Sequence, residues 1–247
     1  MTKHIASVSG GKDSVATLIL AKEHGEPLDE VVYSEVMFDK ETSGEMPEHI
    51  DFINNRLKPF VEDVLRVPFV HLKSEITYVD FFTHIVSRGP NKGMIAGFPI
   101  PCMCAINRDC KIPPIRNYWE QNSEDVVQYV GIEFDEQERI MRLQGTNRIS
   151  LLEKYRVSKN GAVNLCAQYD LYSPCYSFSK RNGCWFCMNC KDREWAHLIF
   201  NHEELFDKLI RLQNEFPQRA RRNISWSETP SEIKKRILQK GYQMRFF

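Results

Sequence analysis

The sequence lacks the features that mark several large classes of protein. It has no apolar run of about 18 residues, the length that spans a membrane as a helix. Its first residues, MTKHIASVSGGKDS, contain no apolar core of a secretory signal. Its 33 basic side chains equal its 33 acidic ones, so no net charge attracts nucleic acid or anionic lipid to the whole chain. We predict a soluble, cytoplasmic protein without membrane contacts, whose polyanion contacts are local.

Internal repeats and low-complexity tracts are also absent, which argues against a solenoid or a disordered chain. With 247 residues, of which 42% are hydrophobic, the chain can bury a substantial core. Eight cysteines remain to be explained. Because the cytoplasm is reducing, we interpret them as metal ligands or reactive thiols and not as a disulfide framework.

The first half of the chain alternates predicted strands and helices. β-branched and aromatic runs predict strands, and apolar residues at helical spacing predict helices. The predicted strands cover residues 4–9, 30–38, 67–72 and 126–132, and the predicted helices begin at Ser14, Pro47 and Ile112. Strands separated by helices predict an α/β fold with a mostly parallel sheet and helices on both faces.

Two stretches interrupt this pattern. Residues 87–111 hold three glycines, three prolines and three cysteines, which predicts a long functional loop, with a plain surface insertion as the alternative. A second cysteine-rich stretch follows residue 165, and helical patterning resumes over residues 194–216. We therefore expect a nucleotide-binding domain over residues 1–165. A cysteine-rich segment with a helical extension, residues 166–247, would pack on it.

The most specific motif is SGGKDS, residues 9–14, at the end of the first predicted strand. Glycines that precede a helix N-terminus let backbone N–H groups converge on a phosphate, and the helix dipole favours the anion. The motif is not a Walker A loop, because Ala6 stands at the position of the first glycine and Asp13 follows Lys12. It predicts a different phosphate-binding loop; the alternative is a capped turn without a ligand.

This string resembles the S-G-G-x-D-S signature of the PP-loop ATP pyrophosphatase superfamily. The resemblance implies an adenine nucleotide alpha hydrolase-like fold and an enzyme that uses ATP and Mg²⁺, releasing pyrophosphate. It implies that Lys12 adds positive charge and that Asp13 positions Mg²⁺ or caps the helix. The residues that would hold pyrophosphate are Ser9, Gly10, Gly11 and Ser14. The candidate catalytic residues are Lys12, Asp13 and Ser14.

Further segments resemble the phosphoadenylyl-sulfate (PAPS) reductase-like branch of that superfamily. Phe38-Asp39 followed by Pro47-Glu48 resembles the segment F-D-T…P-E, and NRDCKIP at residues 107–113 resembles C-T-R-D-L-K-x-x-P. Gly131-Ile132 with Glu136 resembles part of G-I-R-x-x-E-S-x-x-R. The resemblance implies that Asp39 and Gly131 lie near the nucleotide.

The chain departs from the reductases at informative positions. Glu133 stands where they have arginine, Gln137 stands where they have serine, and Arg139 comes one position early. Sulfonucleotide reductases also use a cysteine of a C-terminal E-C-G-L-H motif as nucleophile, whereas no cysteine follows Cys190 here. We therefore predict that the protein is not a PAPS or APS reductase, and we keep that activity as an alternative.

The cysteines form a second constellation. Cys184-x-x-Cys187-x-x-Cys190 can direct several sulfurs toward one metal, and Cys104-x5-Cys110 offers a second pair. Four thiolates suit either zinc or an iron–sulfur cluster. By resemblance to cluster-bearing members of the superfamily we favour [4Fe-4S] over Zn²⁺. The predicted ligands are Cys104, Cys110, Cys184 and Cys187, with Cys190 in reserve; Cys102 and Cys175 are weaker candidates and Cys166 is predicted to be a buried helix residue.

Basic residues follow the fourth predicted strand and recur near the C-terminus. Arg139, Arg142 and Arg148 could hold phosphate through their guanidinium groups, or could form a solvated helix face. The tail carries further basic residues beside one tryptophan, a composition compatible with nucleic-acid contact or with a solvated face. These residues are Arg219, Arg221, Arg222, Trp226, Lys234, Lys235 and Arg236.

Three functions fit these observations. The first is an enzyme that cleaves ATP to AMP and pyrophosphate and adenylates an acceptor, for sulfur transfer or for modification of a nucleotide or nucleic acid. The second is a PAPS or APS reductase that uses an unusual cysteine. The third is a non-catalytic accessory protein that binds a nucleotide or nucleic acid and has a structural metal. The sequence favours the first.

Overall fold

The computed structural model describes residues 2–100, 104–122 and 125–241. The chain divides into two compact units that interleave along the sequence. The first unit comprises residues 1–35, 47–73 and 114–182, and the second comprises 36–46, 74–113 and 183–247. The sequence had suggested one division at residue 165, whereas residues 166–182 lie in the first unit.

The first unit is built on a five-stranded parallel sheet. The strands in the described residues are β1 (Lys3–Val8), β2 (Glu30–Glu35), β3 (Phe69–Lys73), β4 (Ile95–Gly97), β5 (Val126–Tyr129), β6 (Arg148–Ile149) and β7 (Arg219–Arg221). The order across the large sheet is β3-β2-β1-β5-β6, and Ile5 of β1 lies opposite Glu30 on β2 and Gln128 on β5. In the second unit β4 and β7 form a separate parallel pair.

Helices surround these strands. The α-helices in the described residues are α1 (Lys12–His24), α2 (Pro47–Phe52), α3 (Tyr78–Thr83), α4 (Ile112–Asn122), α5 (Gln137–Met141), α6 (Leu151–Lys154), α7 (Lys159–Gln168), α8 (Asp192–Asn201), α9 (Glu203–Glu215) and α10 (Pro230–Gln239). Segments with π-helical bonding cover Ile53–Leu57, Phe60–Leu65 and Asn107–Lys111, and Pro174–Ser177 is a 3₁₀ turn.

The core of the first unit lies on both faces of the sheet. All six residues of β2 are buried, as expected for an inner strand of a parallel sheet covered on both sides. On one face α1, which buries Leu18 and Ile19, packs with α6 and α7. On the other face Ile5 and Val32 pack against aromatic residues of α4. The predicted α/β fold with helices on both faces is confirmed.

The second unit has an aromatic and helical core. Phe38, Tyr78, Trp185 and Phe186 form one buried cluster, and α8, α9 and α10 pack on each other. Capping boxes define where α3 and α10 begin, because Thr77 and Thr229 each accept a hydrogen bond from the backbone N–H three residues later.

The structure differs from the sequence prediction in several segments, and the tail after residue 217 contains the unpredicted β7 and α10. The predicted loop over residues 87–111 contains β4 and a π-helical turn. The predicted helix over 194–216 is two helices, α8 and α9, separated at His202. The strand β6 was not predicted, because two residues carry no periodicity. Within the described residues, no helix combines the length and apolar character needed to cross a membrane.

Candidate functional sites

The SGGKDS loop, residues 9–14, connects the carboxyl end of β1 to α1. Strands β2 and β3 lie in sequence on one side of β1. The next strand along the chain that joins this sheet is β5, and it pairs with the opposite side of β1. The carboxyl ends of β1 and β5 therefore meet at a topological switch point. In open α/β sheets this crevice is where ligands bind.

Gly10 shapes the loop, because no other residue fits its position. Its φ angle is +70°, and a Cβ atom placed there would lie 2.5 Å from Ile53 and 2.6 Å from the His49 ring. His49 supports the turn from this buried side. Its Nε2 lies 2.8 Å from the carbonyl oxygen of Ser9 and its Nδ1 lies 3.1 Å from the hydroxyl of Ser173. Since a carbonyl only accepts, Nε2 donates to Ser9.

The helix that follows begins without a side-chain cap. Gly11 is the N-cap of α1 and makes no such hydrogen bond, so the suggestion that Asp13 caps this helix is wrong. Ser14 stabilises the loop, because its hydroxyl donates to the carbonyl of Gly11 at 2.9 Å and accepts from the N–H of Ser9 at 3.2 Å. The N-cap residue thus provides no side-chain acceptor to the first turn, and a helix N-terminus is a favourable environment for an anion.

Two residues that sequence reasoning missed contact the same loop. The N–H of Lys12 donates to the hydroxyl of Tyr176 at 3.0 Å, and the side-chain amide of Asn182 donates to the carbonyl of Gly10 at 3.0 Å. Both belong to the cysteine-rich stretch, where we considered only the cysteines. No local pattern marks them as partners of a loop more than 160 residues earlier.

Gly131, which follows β5, closes the other side of the crevice. A Cβ atom there would lie 2.7 Å from the backbone of Asp13 and 2.8 Å from that of Ser14. The absent side chain therefore allows the β5 end to reach the start of α1. The structure thus brings Gly131 to the predicted phosphate-binding loop.

The charges of this site are concentrated in three side chains. The ammonium of Lys12 lies 2.5 Å from a carboxylate oxygen of Asp13 and also forms an ion pair with Glu133. Burial disfavours its charge, but hydrogen bonds to Asp13 and Glu133 outweigh burial and raise the pKa of Lys12. Burial, together with nearby Asp13, raises the pKa of Glu133. Two carboxylates around one cation form an oxygen-rich donor set of the type that suits Mg²⁺.

The other residues predicted to contact the nucleotide either form interactions with other side chains or are exposed to solvent. Arg139 forms an exposed ion pair with Glu136, three residues earlier on the chain, and Arg148 is exposed on β6. Asp39 lies in the second unit, where its carboxylate accepts from the N–H groups of Glu41 and Thr42 and pairs with Lys208 at 2.9 Å. Asp39 therefore stabilises its own turn.

The second candidate site is the cysteine constellation, which lies in the second unit. Two successive turns space the sulfurs of its C-terminal part: the N–H of Cys187 donates to Cys184 and the N–H of Cys190 donates to Cys187. Residues 43–45 hold these turns in place. The N–H of Trp185 donates to the carbonyl of Gly44 at 3.0 Å, and Glu45 forms a β-bridge with Cys184.

The second predicted pair lies in the same unit. Cys104 is exposed and its sulfur accepts a hydrogen bond from the N–H of Asn107 at 3.3 Å, while Cys110 is fully buried in the π-helical turn. Burial raises the pKa of Cys110 to about 12, with Cys104 among the charges that add to the effect. Burial also raises the pKa of Cys184, and Cys187 and Cys104 add to that shift. All four predicted ligands therefore lie in the second unit.

The spacing of these sulfurs bears on which metal group they fit. No three cysteine sulfurs of the described residues lie within 4.8 Å of one another. Four sulfurs at about 2.3 Å from one zinc ion would be about 3.8 Å apart. In a [4Fe-4S] cluster each thiolate binds a different iron, so the sulfurs lie farther apart. The described sulfurs are therefore not gathered as closely as a closed zinc site requires.

The other cysteines do not belong to this group of four predicted ligands. Cys166 is buried in α7, and its thiol donates to the carbonyl of Lys12 at 3.2 Å, which confirms the prediction of a buried helix residue. Cys175 is buried in the 3₁₀ turn of the first unit. Cys102 falls outside the described residues.

Much of the basic tail is engaged within the fold. Arg219 is 4% exposed, Lys234 pairs with Glu203 and Asp207, and Arg236 pairs with Asp192 and Glu228. Trp226, in contrast, is 74% exposed. Of the predicted nucleic-acid surface, Trp226 thus offers an accessible aromatic group.

Comparison with known proteins places few limits on these sites. No protein-family model matches the chain, and no curated protein matches it. Among solved structures the chain is similar to the U34-tRNA thiolase NcsA from Methanococcus maripaludis with its [4Fe-4S] cluster. The identity is 17%, the match covers 97% of this chain and 72% of that chain, and the TM-score is 0.42. Similarity at this level carries no conclusion about function, which we argue from the residues.

Proposed function

We propose that this protein is a PP-loop enzyme that binds ATP with Mg²⁺ and cleaves it to AMP and pyrophosphate in order to adenylate an acceptor. One observation carries the proposal. The SGGKDS loop ends β1 at the switch point of a parallel sheet, with an uncapped helix N-terminus and with Gly131 closing the crevice. The loop and Gly131 leave space for a polyphosphate close to the backbone, and the helix N-terminus supplies positive potential.

The residues of this crevice have different roles in the proposed reaction. An acceptor oxygen attacks the α-phosphorus, the bond from that phosphorus to the bridging oxygen breaks, and pyrophosphate leaves with the electron pair. The helix N-terminus and Lys12 stabilise the charge that develops on pyrophosphate. Asp13 and Glu133 would hold Mg²⁺, which would supply positive charge to the polyphosphate. A sulfur or nitrogen nucleophile can then displace AMP.

The cysteine constellation would hold a [4Fe-4S] cluster through Cys104, Cys110, Cys184 and Cys187, with Cys190 in reserve and Zn²⁺ as the alternative occupant. Such a cluster could take part in sulfur transfer. The acceptor class that we favour is a nucleotide or nucleic acid, because the exposed indole of Trp226 can stack on a base. The protein would then be a cytoplasmic transferase.

The reductase alternative has less support. At the position where reductases have arginine, Glu133 carries a negative charge that pairs with Lys12. A carboxylate there would repel a sulfated nucleotide. The accessory-protein alternative predicts ATP binding without turnover.

The test is to incubate the full chain, purified without oxygen, with Mg²⁺ and ATP labelled at the α-phosphate. We expect labelled AMP together with pyrophosphate, and more of both after tRNA or DNA is added. Asp13→Asn should abolish this product, while Asp135→Asn, an exposed site, should retain it. Formation of ADP would contradict the proposal, and binding without any cleavage would favour the accessory protein.

Metal content is a separate test of the cysteine assignment. Cys184→Ser should lose most of the bound iron and sulfide, whereas Cys166→Ser, which alters a buried thiol of the first unit, should retain both. Elemental analysis and visible absorbance provide the measurement. Equal metal content in the two variants would rule out Cys184 as a ligand.

A further inference from the structure

A buried hydroxyl near the cysteines has no hydrogen-bond partner. Tyr78, the first residue of α3, is 0% exposed, and its hydroxyl oxygen makes no hydrogen bond in the part of the chain that the structure describes. Leaving a buried hydroxyl unpaired is costly, so native structures normally provide a partner. This hydroxyl is therefore available to a group that binds beside the cysteines.

The position of this hydroxyl is determined by packing against the turn that carries the cysteines. The Tyr78 ring lies 4.1 Å from that of Phe186 and 5.3 Å from that of Phe38, measured between centroids. Phe186 lies between Cys184 and Cys187 in the sequence. The backbone N–H of Tyr78 also donates to Met37 at 2.9 Å. The ring cannot swing away without disrupting this aromatic core.

The electrostatic surroundings of the hydroxyl identify its neighbours. Burial raises the pKa of Tyr78 well above its ordinary value, and the nearby Cys187 and Cys184 raise it further, while Arg221 and Arg219 lower it. Tyr78 therefore stays protonated at any physiological pH and can donate a hydrogen bond. The charges that act on it come from two cysteines and two arginines.

The two arginines carry positive charge without acidic partners. Arg219 donates to the backbone carbonyls of Gln213, Phe216 and Arg222, and Arg221 lies 5.9 Å from the ring of Phe81. Neither guanidinium forms an ion pair within the described residues, and both Nε atoms are buried without a hydrogen-bond partner. Lys111 differs, because Glu45 lies 3.5 Å from its ammonium. One buried and one partly buried cation, neither with an acidic partner in the described residues, indicate an anionic occupant.

We infer that Tyr78 donates a hydrogen bond to a sulfur of the cysteine-bound cluster, and that Arg219 and Arg221 supply the counter-charge of that cluster. This inference rests on the proposed [4Fe-4S] occupant and not on the ATP chemistry. Four thiolates give the cluster a net negative charge, which becomes more negative on reduction. All three side chains would stabilise the reduced form.

The experiment compares reduction potentials in the full chain reconstituted with iron and sulfide. Tyr78→Phe removes only the hydroxyl, so iron and sulfide per protein should stay at the wild-type level while the midpoint potential becomes more negative. Tyr169→Phe, which removes a hydroxyl of the first unit that donates to Glu23, should leave the potential unchanged. Redox titration followed by electron paramagnetic resonance of the reduced cluster provides both readouts.

Arg221→Met should shift the potential in the same direction, and by more, because it removes a full charge. Arg221→Lys should restore part of the shift. If Arg221→Met fails to fold, Tyr78→Phe decides alone. An unchanged potential in Tyr78→Phe would overturn the inference, and so would a wild-type protein that takes up zinc but no iron–sulfur cluster. Because AMP formation is assayed separately, its failure would count only against the proposed ATP chemistry.

Discussion

Lys12 donates a hydrogen bond to the carboxylate of Glu133, a residue 121 positions later in the chain. The side chains that meet here are buried, with 9% of Lys12 and 8% of Glu133 exposed. Asp13 is the second carboxylate of the group. The three side chains together carry a net negative charge, which disfavours a bare polyphosphate and favours a magnesium complex. This charge balance makes the proposed nucleotide site dependent on the divalent ion.

The first prediction concerns Glu133→Gln. With one carboxylate neutralised, ATP should bind more tightly in the absence of Mg²⁺, by about tenfold or about 1.4 kcal/mol. The gain in ATP affinity on adding Mg²⁺ should shrink correspondingly. Isothermal titration of ATP, with EDTA and then with Mg²⁺, measures both quantities.

Glu138→Gln is the matched control, because Glu138 is exposed on α5 and the substitution makes the same change in total charge. It should bind ATP as the wild type does under both conditions. If the two variants behave alike, the charge group at Lys12 does not control the dependence on Mg²⁺.

The second prediction separates backbone strain from packing at Gly10. Gly10→Ala combines a positive φ angle with overlap against His49 and Ile53, so it should destabilise the protein by about 3 kcal/mol. Gly25→Ala also has a positive φ angle but no atom near the added methyl group, so it should cost about 1 kcal/mol. Urea unfolding followed by circular dichroism makes the comparison. Equal losses would show that the loop does not pack on His49 as described.

The third prediction concerns the reactivity of the thiols in the metal-free, reduced protein. Exposed Cys104 should be alkylated first. Burial raises the pKa of Cys110 and Cys166 to about 12, so both should react slowly, with rates that still increase between pH 7 and pH 9 as the small thiolate fraction grows. Mass spectrometry of the cysteine peptides gives each rate.

Loading with iron and sulfide provides an internal control for this measurement. Cys104, Cys110 and Cys184 should become protected, while the rate at Cys166, in the first unit, should stay the same. Protection of Cys166 to the same degree would indicate general tightening of the protein and not ligation by specific thiols.

The fourth prediction is a pH dependence that arises from Asp39. Partial burial opposes its charge, but Lys208 and the backbone N–H groups of Glu41 and Thr42 outweigh burial and lower its pKa to about 2. Because the folded-state pKa is below the ordinary value of 3.8, the contribution is present above pH 4 and is lost as the pH falls toward 2. Asp39→Asn should lower the melting temperature at pH 7 and weaken its acid dependence between pH 4 and pH 2.

Asp135→Asn, at an exposed turn position, is the control for this pH profile. It should melt at the wild-type temperature at pH 7 and retain the same acid dependence. A wild-type pH profile in Asp39→Asn would show that the turn held by Lys208 does not contribute to stability.

Sequence reasoning was most successful where the signals are local. The SGGKDS loop was expected between a strand and a helix, and α1 ends at Gly25 as the glycine predicted. It was less successful where pairing is distant. The strand β4 pairs with β7, more than 120 residues away, and its three residues lie in a stretch without periodicity. A short strand acquires its identity from its partner, so local sequence does not reveal it.

The sequence by itself determined the chemistry available to this protein: two glycines before a helix, an acidic and a basic residue beside them, and thiols at ligand spacing. Only the tertiary structure decided which groups meet. Glu133, Tyr176 and Asn182 reach the loop, and Tyr78 packs on Phe186 in the turn that carries the cysteines, through sheet order and core packing. The physical reason is that backbone preferences act over a few residues. Buried charges and hydroxyls, in contrast, are matched only when distant segments pack together.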